Sequence, residues 1–305
     1  MRSKNLTHTV AQHGISTFVG DTNKAIVSLE SSDQSYSPLT LCNLGEMPTA
    51  PIKITPQVIT ALGGNPQQVF KAAGIDLHAF INDHEQRLGY NEISRLFNTA
   101  IQHTQCSSIG ILVGLGFSLK NLGPIGQLML SASTVEEALH DLVTHSKLHD
   151  RGGAPLLLPL NDQLSLLGYV IHSHDVIDPR SLIDVLIMIG FQTLRELLGP
   201  DWTPVRVQLA YHKPPDSAAY ARVFRCPVQF NANVSGLVVS TPKLGQKLKT
   251  ANPQQHQLLH EAITSATASL SASELIEYQL QSMLLAGEVK AELIAKRMGL
   301  HIRTL

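Results

Sequence analysis

The sequence predicts an α+β protein: a helical N-terminal segment, then helices mixed with antiparallel hairpins, then a helical linker and an incomplete helix-turn-helix. Three observations predict it. Apolar residues recur every three to four positions across residues 55–116 and again across 134–149, the period of a helix with one buried face. Short runs bounded by Asn, Asp, Gly or Pro begin only after residue 155 and read as strands. The last fifteen residues, AELIAKRMGLHIRTL, return to a helical pattern interrupted at Gly299.

Composition narrows the class. The 305 residues are 43% hydrophobic and 15% charged, which suits a folded chain with a substantial core and room for two domains. The net charge of −1 leaves no global basic field for nucleic acid. Cys42, Cys106 and Cys226 are odd in number and widely spaced, so neither a zinc site nor a disulfide framework is indicated. A reducing, cytoplasmic setting fits. The N-terminus lacks the apolar run of a signal peptide, and the apolar stretch Leu182 to Phe191 is short and broken by Asp184. No membrane association is expected.

In order along the chain, residues 1–50 carry no sustained period and read as a disordered extension, with folding expected from about Ile54. Helices follow over Thr55 to Leu62, Pro66 to Ala73 and Tyr90 to Gln105. The glycines of GILVGLGF (Gly110 to Phe117) have the wrong spacing for a dinucleotide loop and suit close helix packing. Thr134 to His149 is amphipathic, with Val135, Ala138, Leu139, Leu142 and Val143 on one stripe and Thr134 with Glu137 as a capping box. His140, His145 and His149 fall on its other face. His145 and His149 are four apart, a spacing that suits a metal, but no Cys or HExxH accompanies them; the face reads as solvated and no metal is assigned.

Leu156 to Leu160 and Leu164 to Ile171 flank Asn161-Asp162 as a hairpin, with His172 and His174 at its surface end. Asp178-Pro179 is placed to cap a long helix to Leu198. Val205, Val207, Leu209 and Tyr211 alternate as the inward side of a strand. After a short helix from Pro215 to Phe224, the strand from Cys226 to Phe230 and Leu237 to Ser240 read as a second hairpin. A polar helix from Asn252 to Leu270, with Leu258, Leu259 and Ile263 on one side, serves as a linker or dimer contact. Ser271 to Ala286 is a further helix with Ser271 and Glu274 as a capping box.

The tail carries the function. Ala295 allows close approach of two helices, Gly299 makes the turn and Leu305 packs the second helix on the first, the spacing of a helix-turn-helix. IAKRMGLHIRTL resembles the first helix-turn-helix of the AraC/XylS family of bacterial transcription regulators. Tyr220 to Phe230 (YARVFRCPVQF), followed by Leu237 to Ser240, is similar to a signature of the effector-binding domain in one branch of that family. So is Leu122-Gly123-Pro124-Ile125-Gly126 before the helix at Ser133 to Leu139. The likeness runs over about residues 54–305.

With the disordered extension (1–50) read from its composition, the resemblance implies an effector-binding and dimerisation domain (51–250), a linker helix (251–270) and a partial DNA-binding domain (271–305). It implies DNA, a small-molecule effector and a second copy as partners, with no cofactor and no catalysis. At the start of the recognition helix Arg303 is the candidate for a phosphate or guanine edge, followed by His301 and Thr304, with Lys296 and Arg297 for backbone phosphate. The chain stops inside that helix, so specific operator binding by these residues alone is not expected. The alternatives are an effector-binding or dimerisation module acting as a ligand sink or mixed-dimer partner, and an enzyme using His145, His149 or His172. Pocket residues are not assignable from sequence.

Overall fold

The computed structural model describes residues 42–172, 176–215 and 217–267. The helices expected after residue 270, and with them Lys296, Arg297, His301, Arg303 and Thr304, lie outside the described residues, as does His174. The α+β architecture holds, but ordered structure begins earlier than the sequence pattern suggests. Strand β1 (Glu46–Pro48) pairs antiparallel with β2 (Arg87–Gly89). Cys42, Met47 and Thr49 beside it are buried. The polar composition of this segment hides it, because it is stitched down by long-range hydrogen bonds rather than by a local period: Cys42 Sγ donates to the His149 carbonyl at 3.2 Å and Arg151 donates to the Cys42 carbonyl at 3.0 Å.

Helices α1 (Thr55–Ala61) and α2 (Pro66–Ala73) both start with Pro in the first turn, and the Asn65 side chain accepts from the Gln68 N–H at 3.2 Å. Next come α3 (Leu77–Asn82), α4 (Tyr90–Thr104) and α5 (Ile109–Gly114). Helix α6 (Pro124–Ser131) leads to α7 (Val135–His145), whose first turn is capped by Thr134, accepting from the Glu137 N–H at 3.2 Å. A short 3-10 turn, Ser146–Leu148, ends this half.

The second half is built on a sheet. Strands β3 (Gly153–Pro159) and β4 (Leu164–Ile171) form the expected hairpin. The long helix α8 (Arg180–Leu198) follows; Pro179 stands at its N-cap without a side-chain cap, and Asp178 sits at φ 47° instead of capping. Strand β5 (Arg206–Leu209), helix α9 (Ala218–Phe224), strand β6 (Val228–Phe230), strand β7 (Ser235–Ser240) and the short α10 (Thr241–Leu244) come next. Val207 and Leu209 point inward as expected, but Val205, just before the strand, is exposed.

The five-stranded sheet has the order β3-β4-β7-β5-β6, which corrects the second hairpin. β6 pairs parallel with β5, and β7 pairs antiparallel with both β4 and β5. The reason is burial. Ser235 to Val239 is buried throughout, so β7 takes the centre, whereas β6 is partly exposed and goes to the edge. Helix α9 supplies the crossover that a parallel pair requires.

Two apolar clusters make up the core, and α8 serves both. Leu182, Val185 and Leu186 belong to the cluster of α1 to α5, whereas Ile187, Met188, Phe191 and Leu194 belong to that of α6, α7 and the sheet. The glycines of α5 allow the closest approach. A Cβ at Gly110 would overlap the Ser181 carbonyl oxygen, and one at Gly114 would overlap Met188 Cβ. Helix α11 (Pro253–Thr267), expected as a linker or dimer contact, packs on α6 and α7, with Ile263 fully buried and Leu258 exposed.

Candidate functional site

A cavity opens where the two clusters diverge. It encloses about 700 Å³ of atom-free space, part of it open to solvent. One wall is α8, through Leu186, Ile187, Ile189 and Gly190; another is the sheet, through Pro155, Leu167, Gly168, Tyr169 and Leu237. Leu122, Ile125 and Leu142 come from the α6–α7 side, and Met47 and Pro51 from the N-terminal segment. Space persists in part because Gly190 on α8 puts no side chain into it: a Cβ there would stand against Leu237 and Leu167 of the opposite wall. The lining is largely apolar, and its polar groups gather at one end: Ser146, His149, Asp150 and Tyr169. A concave apolar chamber with few polar groups is the usual form of a small-molecule site.

Asp150 is the centre of that polar end. Tyr90 Oη donates to Oδ1 at 2.9 Å and lies 2.8 Å from Oδ2, Tyr169 Oη donates to Oδ2, and the Gly152 N–H donates to Oδ1 at 2.9 Å. The two tyrosine hydroxyls also touch each other at 2.7 Å. Burial pushes the Asp150 carboxyl up to about 6, against the lowering effect of these hydrogen bonds. Both phenols are pushed up as well, by burial first and then by the adjacent carboxylate.

His149 lies next to it. Its Nε2 is buried without a hydrogen-bond partner, and burial, then the nearby Arg87 charge, lowers its pKa to about 4. The imidazole is therefore neutral at physiological pH. His145 is also buried, at 4% exposure, which corrects the solvated face read from the helical pattern. Helix α11 covers it. The His145 and His260 rings meet edge-on at 5.3 Å, and His256 Nε2 lies 2.9 Å from Asp141 Oδ2. Burial first, then His260 and His256, lowers the His145 pKa to about 4. His172 is at the end of β4 with its Nε2 buried. The three histidines are thus spread over the α7–α11 seam, the cavity and a strand end. Among the described residues no group of three or more His, Cys, Asp or Glu side chains could hold a metal.

A second carboxylate is caged elsewhere. Asp184, fully buried on α8, accepts from Tyr220 Oη at 2.7 Å and from Tyr211 Oη, and burial pushes it up to about 7. In the sequence its signal was a carboxylate inside an apolar helical run. Asp150, Tyr90 and Tyr169 carried no comparable signal, because they converge from three separate elements.

Residues 63–248 match the family model described as the arabinose-binding domain of AraC transcription regulator, N-terminal. The chain belongs to that family. The matched stretch is that of a regulator's effector-binding domain, and it holds every cavity-lining residue except Met47 and Pro51. Among solved structures, the transcriptional regulator CdpR from Pseudomonas aeruginosa is similar at 17% identity, over 78% of this chain and 75% of that one, with a TM-score of 0.48. No curated protein matches. No described helix of this AraC-type chain is long and apolar enough to cross a membrane.

Proposed function

We propose that this AraC-type regulator senses a small effector in the cavity between its two cores and passes the state of that cavity to DNA through α7 and α11. The observation that carries the reading is a juxtaposition of neighbours on α7. Leu142 lines the cavity, while Asp141, one residue earlier, and His145 contact His256 and His260 of α11. A ligand that repacks Leu142 and Ser146 therefore works against the residues that hold α11. Helix α11 leads toward the tail, where Arg303, His301 and Thr304 would read bases and Lys296 and Arg297 would hold phosphate. A cytoplasmic homodimer on DNA is the working assembly in this reading, and a light-scattering mass equal to one chain at micromolar concentration would count against the dimer.

The test is a thermal-shift screen of small metabolites against the whole chain, with amide exchange over 253–267 measured with and without each hit. An effector that binds the native state must raise the melting temperature. Sensing predicts at least one saturable hit that also changes exchange in α11. Hits that leave α11 unchanged would favour a ligand sink, and a screen without hits would refute sensing.

A further inference from the structure

We infer that the effector is a largely apolar molecule with one hydrogen-bond-donating head, a hydroxyl or an amine, and that it is neither a sugar nor a carboxylate. This deepens the sensing reading above and rests on it. A sugar presents polar groups all round, and each one buried without a partner costs free energy. Here the α8 and sheet walls offer Leu, Ile, Pro and Gly, and only one end can hydrogen bond. That end has no cationic side chain in its lining, and its two phenols already donate to Asp150. Asp150 is acceptor-only when ionised, and its oxygens already gather two phenols and a backbone N–H. His149 contributes a buried ring nitrogen with no partner, and its depressed pKa keeps it uncharged. Neither Lys nor Arg lines the cavity. An anionic head would face Asp150 with no cation in the cavity lining, Arg87 lying outside it beside His149, whereas an O–H or N–H head can donate to Asp150, or to His149 Nε2 in the tautomer that carries its proton on Nδ1.

The probes are octanol, octylamine, octanoate and L-arabinose, each titrated into the full chain by calorimetry and melting. Octanol or octylamine should bind one-to-one and raise the melting temperature by about 3 °C or more at ten times Kd, and the other two should not. Whichever of the first two binds more tightly assigns the head as neutral or cationic. For His149, His149→Phe should weaken the better probe by about tenfold and His149→Gln should recover part of that loss. Comparable melting curves of the unliganded variants separate this from misfolding. Octanoate or arabinose binding as tightly as the alcohol and the amine would overturn the inference and leave sensing intact. So would the absence of binding by all four, in which case the metabolite screen decides sensing separately.

Discussion

Replacing Gly190 by Ala should stabilise the empty protein and weaken its effector, two effects of opposite sign from one methyl group. Gly190 lies inside α8, where glycine costs about 1 kcal/mol relative to alanine through backbone entropy. An added Cβ would stand 3.4 Å from Leu237 Cδ1 and 3.6 Å from Leu167 Cδ2, close to ordinary contact with the flexible ends of two side chains. No steric penalty therefore cancels the helix gain, and a domain of this size should melt about 2–4 °C higher. Those leucines and Gly190 all line the cavity, so the same methyl occupies ligand space. Overfilling a packed site typically costs 1–3 kcal/mol, and a weakening of about tenfold corresponds to the low end of that range. Scanning calorimetry of the unliganded variant gives the first quantity, and isothermal titration of whichever compound the screen identifies gives the second. A lower melting temperature for the empty variant would refute the helix argument. Undiminished affinity would refute the assignment of the cavity as the effector site.

The other helical glycines should respond in the opposite direction. Gly114→Ala drives a Cβ into Met188 Cβ, which cannot swing away, and should lose about 1–3 kcal/mol by urea denaturation. His256→Ala leaves Asp141 buried without its partner and should cost about 1–3 kcal/mol, with faster amide exchange confined to residues 253–267. Asp184→Asn should change the pH dependence of stability. The folded Asp184 pKa of about 7 lies above the unfolded value of about 4, so its contribution is complete below pH 4 and is lost as pH rises through 7. His145 and His149, lowered to about 4, act in the other direction, losing stability as pH falls from 6.5 toward 4. The difference between wild type and Asp184→Asn cancels the histidines. The wild type's relative stability should fall by up to about 4 kcal/mol between pH 4 and pH 8, and parallel profiles would refute the cage assignment.

Much of the fold was legible because it is written locally. Helices with caps and stripes, such as Pro66–Ala73 and Val135–His145, need only their own residues, and the Asn161-Asp162 turn fixes the first hairpin. Features that depend on distant partners were not legible. The stretch Asn231 to Val234 looks like a hairpin turn, yet β7 leaves β6 for β4 and β5, because a central position buries its whole apolar run. His145 and His149 look solvated on a helical wheel. One is covered by α11 and the other faces a cavity bordered by a segment, residues 42–51, whose composition resembles a loose extension. The cavity itself depends on what Gly190 fails to fill, and an unfilled volume has no signature in a chain of letters.

The placement of the cavity explains why a sensor would be built here. Adjacent residues of α8, Leu186 and Ile187, belong to different clusters, so this helix is the shared wall of two cores that meet imperfectly. Tyr90 comes from the helical cluster and Tyr169 from the sheet, and the Asp150 carboxylate binds both. That cage joins the two halves at the polar end of the chamber. In the proposed sensing, a ligand head that competes for one phenol would alter the tie between the halves, and its apolar body would fill the gap between them. Both changes bear on α7, which holds Leu142 in the cavity wall and Asp141 against α11. A cavity inside a single, fully packed core could be filled without moving anything; under the proposed sensing, a cavity at a seam, closed by a hydrogen-bonded cage, would convert occupancy into relative displacement of the parts that meet there.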